Sequence, residues 1–161
     1  MLHLNKKGGL SVRINTKCSI AIHCLLFVHE YGEKKKVTSE LLALSTGCNP
    51  VVIRGIVSAL KKDGILTVPS GAGGARLSCP AQDITLYRVC MALEPDAMRK
   101  LIGFHPLPSV LCPIGQRIHE VLDTSYEKVR EDMKRSLQSV TLEDFINEYR
   151  NCGAKGGNQI G

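Results

Sequence analysis

A chain of 161 residues that is 43% hydrophobic and 22% charged is neither a disordered polymer nor a multidomain assembly; it holds one ordinary domain, or a small one with an oligomerisation arm. Aromatics are 4% and Trp is absent, so the core falls to Leu, Ile, Val and Ala, as in packed helices. The net charge of +6 is uneven: residues 1–80 carry 11 Lys/Arg against 4 Asp/Glu, residues 81–161 carry 10 against 11, which suits a polyanion-binding module joined to a neutral one.

Residues 1–13 read as a flexible leader. Ile14, Cys18, Ala21, Leu25 and Val28 then recur at spacings of three and four, one face of a helix that Tyr31-Gly32 stops. After the polar Glu33–Lys36 loop, Thr38 or Ser39 caps a short helix over Glu40–Ser45, ending at Gly47. Asn49 is a good N-cap and Pro50 a good first residue for the next helix, which runs to Asp63 and stops at Gly64. On it Ile53, Ile56, Val57 and Leu60 form a buried stripe, while Asn49, Val51, Arg54, Ser58 and Lys61 point the other way.

Ile65–Val68 and Ala75–Ser78 read as two short strands joined by the glycine-rich turn Pro69–Gly74. Thr85 caps a helix ending near Glu94-Pro95, and residues 95–113 read as irregular because Pro106 and Pro108 forbid a long helix. From Gln116 to about Val140 there is neither Gly nor Pro, and Ile118, Val121, Leu122, Val129, Met133 and Leu137 recur at helical spacing. A helix of ~25 residues is ~37 Å long, too long for so small a domain to cover. Its apolar stripe is expected to pair with a second copy, making a dimerisation helix. Thr141–Arg150 forms a last helix, followed by a loose tail.

The order is helix-turn-helix plus wing, in a mainly α fold with a small β-wing and a long C-terminal dimerisation helix. The expected organisation is a flexible leader at 1–13, a winged helix-turn-helix DNA-binding domain at 14–94, linker and dimerisation helices at 95–150, and a flexible tail at 151–161. A helix enters the major groove with its N-terminal turns against base edges, which makes Asn49, Pro50, Val51, Arg54, Ser58 and Lys61 the candidate reading face. Arg54 is the best candidate for a bidentate contact to guanine, and Val51 can meet a thymine methyl. In the wing, Ser70, Gly73 and Arg76 are candidates for minor-groove or phosphate contact. Lys17 and Ser39, at helix starts, are candidates for phosphate. Gly55 sits mid-helix, where glycine costs ~1 kcal/mol relative to Ala; it either admits a close backbone or marks a missing contact.

Seven cysteines are an odd number, and none is paired at zinc spacing. With no signal peptide recognisable and no apolar run near the ~20 residues of a membrane span, the expectation is a cytoplasmic protein with reduced thiols, no membrane partner, no metal and no cofactor. Cys18, Cys24 and Cys90 fall on apolar helix faces and read as core. Cys48 lies beside the reading helix, where modification could block DNA. Cys112 precedes the long helix, whose dipole favours a thiolate; it is the candidate sensor, its alternative being a structural cysteine at the base of that helix. An enzyme built on Cys112 with His105 or His119 lacks a third orienting group and is not expected. The remaining alternative is a winged-helix protein–protein interaction module that does not bind DNA, for which a basic half is unexpected.

Asn49–Arg54, Leu60–Leu66, the wing Ser70–Leu77 and Asp83–Leu86 resemble the BadM (Rrf-two) family of winged-helix regulators, as do Cys112-Pro113-Ile114-Gly115 and Thr141–Phe145. The resemblance covers roughly residues 13–148 and is strongest to the family's cluster-less, YwnA-like branch. It implies a homodimeric transcriptional regulator with crossed long helices on a pseudo-palindromic double-stranded operator, usually a repressor, with Arg54 in the major groove and the wing in the minor groove. Members that carry a [2Fe–2S] cluster hold it with three cysteines spaced six apart. Here the matching positions are Lys100, Pro106 and Cys112, and a following histidine is Gly115. No cluster is therefore expected. Many members carry a second Arg at the position of Gly55, so the operator is expected to differ from theirs.

Overall fold

In the computed structural model, residues 16–71 and 73–156 are described; the leader 1–13 and the end of the tail, 157–161, lie outside them. The elements run α1 (Thr16–Tyr31), α2 (Ser39–Thr46), α3 (Pro50–Lys62), β1 (Leu66–Thr67), β2 (Arg76–Leu77), a 3-10 turn (Ala81–Asp83), α4 (Leu86–Leu93), α5 (Ala97–Leu101), α6 (Pro113–Gln138) and α7 (Leu142–Gly156). The architecture is mainly helical with one two-stranded antiparallel sheet, in which Leu66 faces Leu77 and Thr67 faces Arg76.

Local chemistry explains the helix ends. Thr38 accepts the Leu41 N–H, and Gly47 takes φ 67° to close α2, a left-handed turn that costs glycine little. Asn49 accepts the Val51 N–H at 2.8 Å with Pro50 behind it. Gly64, at φ 76°, lets the chain turn from α3 into β1. Thr85 caps α4 through the Arg88 N–H.

The core is aliphatic. Leu25, Leu42, Ile53, Leu60, Ile65, Ile84 and Leu142 are fully buried, and no polar or charged residue is buried among those described. Leu142 and Ile146 of α7 belong to this same cluster. Main-chain bonds hold α7 there, from Leu142 N–H to the Ile84 carbonyl and from Leu86 N–H to the Val140 carbonyl, both at 2.8 Å. Thr141 and Asp144 form a reciprocal capping box, Thr141 N–H donating to the carboxylate at 2.8 Å and Asp144 N–H to the threonine oxygen at 3.3 Å.

Three boundaries differ from the sequence expectation. The segment 95–113 is not wholly irregular, since Ala97–Leu101 forms one short helix. The long helix begins at Pro113 rather than Gln116: proline is suited to a first turn, and at Gly115 an added Cβ would lie 2.3 Å from the Ser109 carbonyl oxygen, so glycine admits the preceding turn. The tail expected from 151 starts later, because α7 continues through Gly153 to Gly156. A glycine costs a helix only about 1 kcal/mol, too little to end one already docked on the core. Among the described residues, no single helix is long and apolar enough to cross a membrane.

Candidate nucleic-acid interface

α2 and α3 meet at 116°, within the range of a helix-turn-helix. The buried stripe of α3, Ile53, Ile56, Val57 and Leu60, seats it against α2, α4 and β1. Asn49, Pro50, Val51, Arg54, Ser58 and Lys61 are all left exposed, with Val51 70% exposed despite being apolar. Asn49 uses its side-chain oxygen as the cap, which leaves its amide group for other donation. Gly55 is exposed, and an added Cβ would meet nothing within 4 Å. No intramolecular approach therefore demands glycine there. Gly55→Ala is expected to raise unfolding stability by about 0.5–1 kcal/mol, measured by urea denaturation; a loss of stability would show a constraint the fold does not reveal.

Both arginines of the candidate interface are held by a carboxylate of the same chain. Arg54 Nη2 donates to Glu40 Oε1 at 2.9 Å, and this hydrogen bond holds the Glu40 carboxyl below its ordinary range. In the wing, Arg76 Nη1 lies 3.7 Å from Glu33 Oε2. All four side chains are about half exposed or more, so these pairs contribute little stability.

The wing is fixed at its base. Ala75 N–H donates to the Val37 carbonyl at 2.8 Å, binding β2 to the loop before α2. A Cβ on Gly74 would lie 2.3 Å from the Val37 nitrogen, and one on Gly73 would lie 2.8 Å from the Pro69 Cβ. Glycines here admit close chain packing as well as a thin loop. Ser70 and Arg76 are exposed and Gly73 is half-buried. Lys17 is exposed at the start of α1 and Ser39, half-buried, opens α2; the cap of α2 belongs to Thr38.

Sequence reasoning missed Arg88. Its Nε donates to Asp63 Oδ2 at 2.7 Å, its Nη2 to the Asp63 carbonyl at 2.9 Å, and its Nη1 to Cys79 Sγ at 3.5 Å. One guanidinium thus ties the end of α3 and the segment after β2 to α4. The partners lie 25 and 9 residues away, so no local pattern announces them. Arg88→Ala is expected to cost about 1–2 kcal/mol of stability, read as a lower urea midpoint at unchanged slope.

Cys112 is exposed at the N-cap of α6 and makes no side-chain cap hydrogen bond. Cys24 is fully buried, and desolvation pushes its thiol up to about 12; it is a core residue. Cys48 is half-buried against the core, and its thiol reaches the Thr46 carbonyl at 3.6 Å. Cys18, expected in the core, is only half-buried. On α6, Ile118, Leu122, Met133 and Leu137 are half-buried while Val121 and Val129 are 66% and 41% exposed. No residue of this 26-residue helix is buried. Phe104 stacks on Tyr126 at 5.4 Å between centroids, so part of the helix leans on the segment before it.

The residues at the three positions that the resemblance assigns to an iron–sulfur cluster do not fit one. Lys100 is a cation paired with Glu94 at 2.5 Å, Pro106 has no donor, and Cys112 is a single thiol. Among the described residues no group of three or more His, Cys, Asp or Glu side chains converges on a metal position.

Comparison with known proteins gives a consistent picture. A family model described as "Rrf2: Iron-dependent Transcriptional regulator" matches residues 14–148. YwnA of Bacillus subtilis (strain 168), named as an HTH-type transcriptional regulator, is 37% identical over 134 residues, which are 83% of this chain and 97% of YwnA. A crystal structure titled as that of a DNA binding protein is 34% identical, with a TM-score of 0.66 over 81% of this chain and 98% of its own. T. potens IscR, at 19% identity, shares the fold with a TM-score of 0.64 over 94% of this chain and 93% of its own.

Proposed function

From the premise that this chain belongs to the Rrf2 family of transcriptional regulators, we propose that it acts as a homodimeric, sequence-specific DNA-binding repressor whose α3 reads a pseudo-palindromic operator. The observation that carries this reading is the exposed face of α3. Val51, Arg54, Ser58 and Lys61 stand together on the side opposite the buried stripe, in the half of the chain that holds the basic excess. Arg54 serves as the guanine reader, Val51 as the thymine-methyl contact, and Asn49, Pro50, Ser58 and Lys61 flank them. Ser70, Gly73 and Arg76 carry the wing to the minor groove, and Lys17 and Ser39 meet phosphates.

Residues 14–94 serve as the DNA-binding domain, whose core α7 rejoins through Leu142 and Ile146, and the rest of 95–150 as linker and dimerisation helix. The dimer is supported by α6, whose Ile118, Val121, Leu122, Val129, Met133 and Leu137 stripe is only partly covered within one chain, with Val121 and Val129 left exposed. Leu107, Val110, Leu111 and Ile114, at 90%, 74%, 91% and 72% exposed, extend this apolar surface ahead of it. Occupation of an operator by such a dimer excludes other proteins from that DNA, which is the simplest route to repression. Cys112, exposed where the linker meets α6, is the thiol whose modification would reach the dimer helices in this reading.

The test is a mobility shift on the DNA upstream of the protein's own gene, with scrambled DNA as competitor, with and without a thiol oxidant. Selective binding that oxidant releases in the parent and not in Cys112→Ser supports the whole reading. Selective binding indifferent to oxidant removes the Cys112 sensor alone. Absence of selective binding under either condition leaves the chain as an interaction module.

A further inference from the structure

A second pair of thiols lies outside the interface and outside the α6 linker. Cys18 is the third residue of α1 and Cys90 the fifth of α4, 72 residues apart in sequence, yet Cys18 Sγ donates to Cys90 Sγ at 2.8 Å. The two helices pack directly on each other, so this proximity belongs to the body of the domain. Cys18 is half-buried and Cys90 is 9% exposed, sheltered from bulky reagents and reachable by a small one. No group of three or more metal-ligating side chains forms among the described residues, so the pair lacks the further ligand that a structural metal would use.

We propose that Cys18 and Cys90 form a dithiol site that hydroperoxides convert into an intrachain disulfide, a modification independent of Cys112. The shared proton sets the order of events. Donation from Cys18 holds the Cys90 thiol below its ordinary value, while the same bond and burial push Cys18 up. Cys90 is therefore the thiolate that attacks. Its sulfur takes the terminal oxygen of the hydroperoxide, the O–O bond breaks, and the alkoxide leaves as alcohol with the proton that Cys90 shed. Cys18 then attacks the sulfenic sulfur of Cys90: the S–S bond forms, the S–O bond breaks, and hydroxide leaves as water with the Cys18 proton. Two thiols and one hydroperoxide become one disulfide, one alcohol and one water.

The bond would fasten the first turn of α1 to α4. Lys17 sits in that turn beside Cys18, and it adds to Lys100 in holding the Glu94 carboxyl low at the end of α4. The oxidised form thus locks a helix start that carries a phosphate candidate.

The test treats the reduced full-length protein with hydrogen peroxide and maps its peptides by mass spectrometry without reductant. The expected product is a single chain, with no covalent bond to a second one, lighter by two hydrogens, with the Cys18 and Cys90 peptides linked and both thiols recovered by dithiothreitol. Cys112→Ser forms the same link, and Cys18→Ser abolishes it; Cys18→Ser replaces a half-exposed side chain, so folding is retained. Oxidation of Cys90 to sulfinic acid without a link would overturn the proposal, as would peroxide consumption at other cysteines while Cys18 and Cys90 stay reduced. The readout does not involve DNA, so its failure is distinct from failure of the repressor reading.

Discussion

Arg54→Ala is expected to abolish operator selection while leaving the fold intact. The side chain is 60% exposed and its ion pair is to Glu40, itself 64% exposed, so its removal should change stability by less than about 0.5 kcal/mol. A bidentate arginine–guanine contact is worth about 1–3 kcal/mol of discrimination, or about 5- to 150-fold for each half-site. In the proposed dimer, which would read two half-sites, the loss compounds. Arg54→Lys separates charge from geometry: it keeps the cation and loses the planar fork. It should retain binding to scrambled DNA and lose most of the preference for operator. Glu40 shapes the same event from the protein side. Its carboxylate holds one guanidinium nitrogen at 2.9 Å, which limits the rotamers Arg54 samples. Competition binding with operator and scrambled duplexes, alongside urea unfolding, checks each part.

Gly74→Ala is the second large effect, and it acts through the wing. An added methyl would lie 2.3 Å from the Val37 nitrogen and 2.9 Å from the Lys36 carbonyl carbon. These are main-chain atoms, so no side-chain rotation relieves the overlap. The hairpin must move from the loop before α2, and with it goes the Ala75 N–H to Val37 carbonyl bond of 2.8 Å. Overpacking of this kind costs about 1–3 kcal/mol. The displaced hairpin also carries Arg76, so operator affinity should fall further than the stability loss explains at temperatures where the variant is folded. Amide exchange at β1 and β2 beside a binding titration would show both; an unchanged exchange pattern would mean that the wing base tolerates a side chain.

The helix-turn-helix was legible because its boundaries are set by neighbours in sequence. Thr38, Gly47, Asn49, Pro50 and Gly64 each act within a few residues, and the 3.6-residue period of Ile53, Ile56, Val57 and Leu60 needs no knowledge of what they pack against. What was not legible depends on distant groups. The Arg88–Asp63 tie spans 25 residues and the Cys18–Cys90 contact 72. The same holds for Glu40 beside Arg54, 14 residues away. The ends of α6 and α7 were misjudged for a different reason. Gly115, Pro113 and Gly153 look like breakers by type, yet proline suits a first turn and a glycine's cost of about 1 kcal/mol is small against the docking of Leu142 and Ile146 in the core. Among the candidate DNA contacts, the sequence could rank residue types on an exposed face; it could not show that both arginines carry a carboxylate partner.

The central claim is that this chain reads DNA sequence through α3, and the most direct measurement is binding to its own upstream DNA and to a scrambled duplex across a salt series. Selective binding whose logarithm falls steeply and linearly with log salt, with the operator preference lost in Arg54→Ala, is the predicted result. Equal, weak binding to both duplexes at low salt, unchanged in Arg54→Ala, would contradict it.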